Sequence, residues 1–230
     1  MLSWITLAAV IMRSWPEISR SVAEKQKKRD EDRFRDRLNS LPTKKLRVLG
    51  FPNSGKTQFL NALRCKPSSK DKVQTVGVLD CKFVFAPKEG DWTSQIHDSN
   101  TIRIAAKDLN GAKEYLTANI GSFVNDADIL LFMCSIVDYL VDKDSCRRSV
   151  NSVLRAIQER SLGKRYLKIC IILTYEDMLP TIGKTSEQAI AEFKDILKRT
   201  PYGEYPCYAI NTCDQIAVRN LFRKILGYGK

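Results

Sequence analysis

The chain is 230 residues long, 43% hydrophobic and 28% charged, with 38 Lys and Arg against 26 Asp and Glu. That is enough chain for one sizeable core plus a tail, and it excludes both a disordered polymer and a chain saturated with membrane spans. The single histidine, His97, removes chemistry that needs a histidine pair. Seven cysteines without C-x-x-C spacing (Cys65, Cys81, Cys134, Cys146, Cys170, Cys207 and Cys213) argue for reduced thiols on a cytosolic face rather than a zinc site or a disulfide framework.

Residues 2–12, "LSWITLAAVIM", are apolar, but shorter than the roughly 20 residues a membrane-spanning helix needs. Positive charge follows this run instead of preceding it, so it does not read as a secretory signal. With Trp4 and Trp15 as amphipathic anchors it suits the surface of a bilayer, with basic residues facing anionic lipid. A helix packed on a partner protein is the alternative. From Arg13 to Arg47 there are twelve Lys and Arg against six Asp and Glu, a basic segment that attracts an anionic surface or partner. Few aromatics interleave with it and no nucleic-acid module is visible, so nucleic acid is not the expected partner. Residues 17–38 read as an exposed charged helix that ends near Asn39-Ser40 and Pro42. The chain therefore divides into an apolar segment (1–18), a basic helix and linker (19–43) and a globular domain (44–230).

Within the domain, strand-like and helix-like runs alternate. Strands are expected at 45–50, 77–85, 101–107, 129–136, 167–173 and 206–211, and helices at 56–65, 112–122, 145–161, 184–198 and 214–226. Continuous apolar runs such as "ILLFMCSI" and "LKICIIL" are the mark of parallel strands buried on both faces. The runs at 77–85 and 101–107 fit an antiparallel pair. The expected fold is an α/β, doubly wound, mostly parallel six-stranded sheet with one antiparallel edge strand.

The motif that carries chemistry is "GFPNSGKT", residues 50–57, which fits G-x-x-x-x-G-K-[ST] between a strand and a helix. Gly50, Asn53, Ser54 and Gly55 form a turn whose amides can point at phosphates, Lys56 supplies a cation, and the Thr57 hydroxyl suits Mg²⁺. Thr75 precedes the second strand, and Asp108-x-x-Gly111 comes after the third. A second hydroxyl and a strand-end carboxylate complete the Mg²⁺ ligand set Thr57, Thr75 and Asp108, and the Gly111 amide would face the terminal phosphate.

With these elements the chain resembles P-loop GTP-binding switch proteins, and more narrowly heterotrimeric G-protein alpha subunits. "KVQTVGV" and "DLNGAKEYL" resemble that family's two switches. "FVNDADILLFMCSIVDYLVDKDSCRRSVNSVLRAI" resembles its fourth strand and third helix, and "INTCDQIAVRNLF" the entry to its last helix. The resemblance implies GTP or GDP and Mg²⁺ as ligands, a peripheral position at the cytoplasmic face of a membrane, and a beta-gamma-like or effector protein partner. It places Thr174, Tyr175, Asp177 and Thr212 at the base, where "TYED" replaces the family's N-K-x-D.

Two departures bear on function. Only about ten residues separate Cys65 from Thr75, which leaves no room for the family's helical domain. Ala112 stands at the position of the family's catalytic Gln and Lys72 at that of its Arg, so hydrolysis is expected to be slow or absent. The competing readings are a pseudo-GTPase interaction scaffold and a small membrane-tethered GTPase similar to the ADP-ribosylation-factor group or the signal-recognition-particle receptor beta subunit.

Overall fold

Apolar residues along the first strand, β1 (Thr43–Gly50), alternate between two faces: Leu46 and Val48 pack on one side, Leu49 on the other. The computed structural model of the chain describes residues 23–66, 78–86, 100–109, 111, 113–164, 166–198 and 205–228. The expected apolar segment 1–18, together with Lys72, Thr75, Gly77, His97 and Ala112, lies outside these residues. Helix α1 (23–40) is exposed along almost its whole length and leads into β1, where the Arg103 guanidinium donates to the Leu38 carbonyl at the helix end. Among the described residues no helix is long and apolar enough to cross a membrane.

After β1 come α2 (Lys56–Leu63), β2 (Val78–Phe85), β3 (Ile102–Leu109), α3 (Lys113–Asn125), β4 (Ile129–Ser135), α4 (Ile136–Val141) and α5 (Lys143–Ser161). Then follow β5 (Lys168–Thr174), a 3-10 helix (Glu176–Ile182), α6 (Ser186–Lys198), β6 (Cys207–Ile210) and α7 (Gln215–Leu226). The six strands form one sheet in the order β2-β3-β1-β4-β5-β6, and only β2, at the edge, runs antiparallel to its neighbour. The expected fold class is the observed one.

Helices cover both faces, which is why the inner strands need no polar side. On one face Leu49, Leu130, Phe132, Ile171 and Leu173 meet residues of α3, α5 and α6, among them Leu116, Leu154 and Phe193. On the other, Leu46, Val48, Leu131, Met133 and Ile172 meet Phe59 and Leu63 of α2 and Val218, Phe222 and Ile225 of α7. All seven residues of β4 are buried. Removing one such large aromatic, for example Phe132→Ala, costs about 3–5 kcal/mol in cores of this kind.

Several boundaries differ from those expected. The third strand continues to Leu109 because β2 supplies partners, Val78 for Leu109 and Leu79 for Asp108. Asp108 therefore lies inside the strand. Helix α5 begins at Lys143 because the Asp142 carboxylate accepts from the Ser145 amide and caps it. The short α4 and the 3-10 helix were not legible at all: at six and seven residues, neither carries a full period of apolar residues.

One residue of β1 breaks the apolar run. Arg47 is 3% exposed. Its guanidinium donates to the carbonyls of Leu46 and Ala105 at 3.0 and 2.9 Å and pairs with Asp126 just past the end of α3. Lys45 also donates to Asp126, at 2.6 Å, and the two cations hold the Asp126 carboxyl down at about 2. Taking away one partner of a buried charge costs far more than replacing the charge by an apolar side chain of similar size.

Asp126→Ala should therefore lower folding stability by about 2 kcal/mol, moderated because Asp126 is partly exposed. Arg47→Met should stay within about 1 kcal/mol of the native chain. A depressed carboxyl stabilises the fold above its unfolded value of about 3.9, and the contribution disappears as pH falls through about 2. Urea titrations from pH 7 down to pH 2 should show the Asp126→Ala deficit narrowing only in the acid range.

Candidate functional site

Strand order changes direction around β1: the chain moves from β1 outward to β3 and β2, then crosses to β4 on the other side. In open α/β sheets the carboxyl ends of the strands beside such a reversal form a crevice suited to ligands. Residues 50–57 leave β1 at that point and enter α2. The backbone here leaves no room for side chains. A Cβ on Gly50 would lie 2.3 Å from the Met133 carbonyl oxygen, and one on Gly111 would lie 2.4 Å from the Pro52 nitrogen. Gly55 precedes α2 with φ +74, a left-handed conformation that glycine adopts without a Cβ penalty, and no side chain caps the helix. Asn53 also has a positive φ, 58. The first amides of α2, which no intrahelical carbonyl can satisfy, thus open toward the crevice with the positive end of the helix dipole behind them.

Lys56 is buried and folded back over the loop, its ammonium donating to the carbonyl of Phe51 at 2.8 Å and of Gly50 at 3.1 Å. Burial lowers its pKa and the nearby Asp108 charge opposes that shift. The Thr57 hydroxyl donates to Asp108 Oδ2 at 2.9 Å, joining the start of α2 to β3. Asp108 is fully buried, and desolvation pushes its carboxyl up to about 6 against the pull of Lys56 and Thr57. Its second oxygen, Oδ1, is buried with no hydrogen-bond partner among the described residues. A carboxylate oxygen left bare beside a hydroxyl is a hard-oxygen donor set, and it fits Mg²⁺. Thr57 and Asp108, expected as metal ligands, are therefore in contact, whereas Thr75 lies outside the described residues.

The residues expected at the base divide into two groups. Thr212 and Thr174 are buried against the loop: a Cβ on Gly55 would meet Thr212 Oγ1 at 3.0 Å and the Thr174 methyl at 3.6 Å. The Thr174 hydroxyl donates to the Cys134 carbonyl at 3.3 Å. Asp177 is exposed, in the first turn of the 3-10 helix. Tyr175 holds a left-handed backbone, φ 64, and its hydroxyl donates to the Asn53 carbonyl at 2.6 Å. This bond straps the loop after β5 to the tip of the loop after β1. No sequence signal announces it, since the two residues are 122 positions apart. Phe51 was also missed: its ring meets Phe132 edge-on at 5.6 Å and fixes the loop to the core. An aromatic directly after the motif's first glycine was the available hint.

Neither a family model nor a curated protein matches the chain. Among solved structures 1152 chains match, so the fold is widely shared and by itself selects no activity. One is the Arl6 BBS3 small GTPase from Trypanosoma brucei with a bound nucleotide analogue, GppNp. It has a TM-score of 0.57 and 17% identity over 80% of this chain and 96% of that one. The chain thus has the P-loop fold of small GTPases.

The tight approach at the loop gives a clean mutational contrast. Gly50→Ala forces a Cβ into the backbone of β4 and should cost about 3 kcal/mol. Gly121→Ala, in α3, meets only the movable end of Arg160 and gains helix propensity, so it should stay within about 1 kcal/mol of the native chain. Urea denaturation of the two variants checks both values.

Proposed function

We propose that the chain is a guanine-nucleotide-binding switch protein that holds GTP or GDP with Mg²⁺ and hydrolyses GTP slowly or not at all. The observation that carries this reading is the Thr57–Asp108 contact with its bare buried oxygen, beside a lysine folded into the loop. Gly50, Asn53, Ser54 and Gly55 shape the loop whose amides take the phosphates, Lys56 adds a buried positive charge, and the Gly111 amide approaches the same loop. Thr57 and Asp108, with Thr75, would hold Mg²⁺, which when bound neutralises phosphate charge. Tyr175 supplies an aromatic face beside the base, Asp177 an acceptor for a guanine edge, and Thr212 a wall behind Gly55. Lys72 and Ala112 offer neither a planar cation nor a group that orients water, so the bound triphosphate persists.

Within this class, a small GTPase of the ADP-ribosylation-factor type is as compatible with the fold as the narrower alpha-subunit reading, and the short span from Cys65 to Thr75, too short for a helical domain, suits it. The basic helix α1 and the apolar residues before it would then face a membrane surface, a beta-gamma-like subunit or an effector. A pseudo-GTPase scaffold is the second reading, favoured by one specific contact: the Tyr175 hydroxyl straps the loop after β5 to the Asn53 carbonyl within the chain itself.

Nucleotide content separates these readings. Full-length chain purified with Mg²⁺, denatured and analysed by chromatography should release stoichiometric GTP, and Lys56→Ala should release none. Released GDP would show that hydrolysis survives without the glutamine. An empty chain with no thermal shift on adding GTP would select the scaffold. A second expectation concerns Asp108→Asn, which keeps the shape of the side chain and removes a buried charge. Without Mg²⁺ this variant should be at least as heat-stable as the native chain, yet lose the extra thermal stability that GTP gains from Mg²⁺. Thermal melts with and without the metal measure both effects.

A further inference from the structure

Next to the β4 residue that Gly50 lies against, two cysteines that the nucleotide chemistry does not use face each other. Cys134, the sixth residue of β4, and Cys146, in the first turn of α5, place their sulfurs 3.8 Å apart, in thiol–thiol contact. They are unlike in exposure: Cys134 is 1% exposed, and Cys146 is half-buried. The chain between them forms the short α4, with Ser135 accepting from the Asp138 amide at its start.

We propose that Cys134 and Cys146 form a redox modification site, an attacking and a resolving thiol that a hydroperoxide converts into a disulfide between β4 and α5.

The roles follow from position. Cys146 is the more exposed of the two, and it lies in the first turn of α5, where the positive helix end favours a thiolate. The Cys134 thiol, donating to Cys146, holds the Cys146 pKa below the ordinary thiol value, while burial and the carboxylates of Asp138 and Asp142 act against it. Cys134 is held well above that value by the same contact and by burial, so it stays a thiol until its partner reacts.

With hydrogen peroxide as the oxidant, the Cys146 thiolate attacks one peroxide oxygen. An S–O bond forms, the O–O bond breaks, and the hydroxide that leaves is protonated to water. Cys134 sulfur then attacks the sulfenic sulfur. The S–S bond forms, the S–O bond breaks, and hydroxide leaves with the Cys134 proton as a second water. Two thiols lose two electrons and one peroxide gains them. The cross-link closes a small ring around α4 and fixes the end of β4. There the Cys134 carbonyl accepts from Thr174, the residue before the Tyr175 strap.

The test uses the full chain, reduced and then exposed to graded hydrogen peroxide, blocked by alkylation and mapped by mass spectrometry. The expected product is a peptide linking Cys134 to Cys146, two hydrogens lighter than the separate peptides. Cys134→Ser should leave a sulfenic acid on Cys146 that a dione probe traps, and Cys146→Ser should leave Cys134 unmodified. Two outcomes overturn the site. One is both cysteines still alkylatable after denaturation at peroxide doses that oxidise the exposed Cys65 and Cys213. The other is Cys134 linked instead to Cys207, which burial pushes up to about 12. Because the native chain's own peptide map decides, a variant that fails to fold leaves the outcome readable.

Discussion

The candidate site depends on close backbone approach at Gly50. Its missing side chain lets the end of β1 lie against the Met133 carbonyl of β4 and leaves Ser54 room to turn the loop. Gly111 closes on Pro52 and Phe51 from the other side, so the end of β3 and the loop after β1 touch backbone to backbone. The Thr57–Asp108 hydrogen bond then fixes where the first turn of α2 stands relative to β3. Each contact presupposes the others. A side chain at Gly50 would part β1 from β4, and with them the carbonyls on which Lys56 rests.

Two buried charges lie close to β1 in different surroundings. At the site end, Asp108 is left with one oxygen unsatisfied and its carboxyl is pushed toward the neutral form. Arg47, one residue before the β1 position in register with Asp108, is also buried, but it is met by two carbonyls and by Asp126, whose carboxyl is pulled the opposite way. The first arrangement costs stability, offset in part by Lys56 and Thr57. The second is neutralised within the fold and holds the sheet to α3, although Arg47 Nε is also buried without a partner among the described residues. Neither burial nor one bare atom marks function by itself; the place of Asp108 beside Thr57 and the loop after β1 distinguishes it.

Most of the fold was legible because β4 and β5 are buried on both faces, and a continuous apolar run has few alternatives in an alternating α/β chain. The loop after β1 stood out because its spacing is local, eight consecutive residues in order. What stayed hidden was what depends on distant partners. Arg47 looked like one more charge in a basic stretch, because Asp126 reaches it only when α3 packs beside β1. The strap between Tyr175 and Asn53, and the meeting of Cys134 with Cys146, also need the folded sheet. Helix α4 escaped for a different reason: it is too short for its buried Ile136 and Tyr139 to form a recognisable period.

The sheet order also fixes when during synthesis the site can exist. β1 is flanked by β3 and β4, so the strand that carries the loop gains both neighbours only after residues 129–135 have left the ribosome. Until then its edge is open, Gly50 has no carbonyl of β4 to lie against, and the loop has no fixed shape. Pairing between segments so far apart in sequence is slow to form. Any ligand of this loop therefore meets only the finished domain and cannot template the early stages of its folding. The nascent chain must protect an unpaired apolar strand by other means, and the charged helix α1, already emerged beside it, is the one described element upstream of β1.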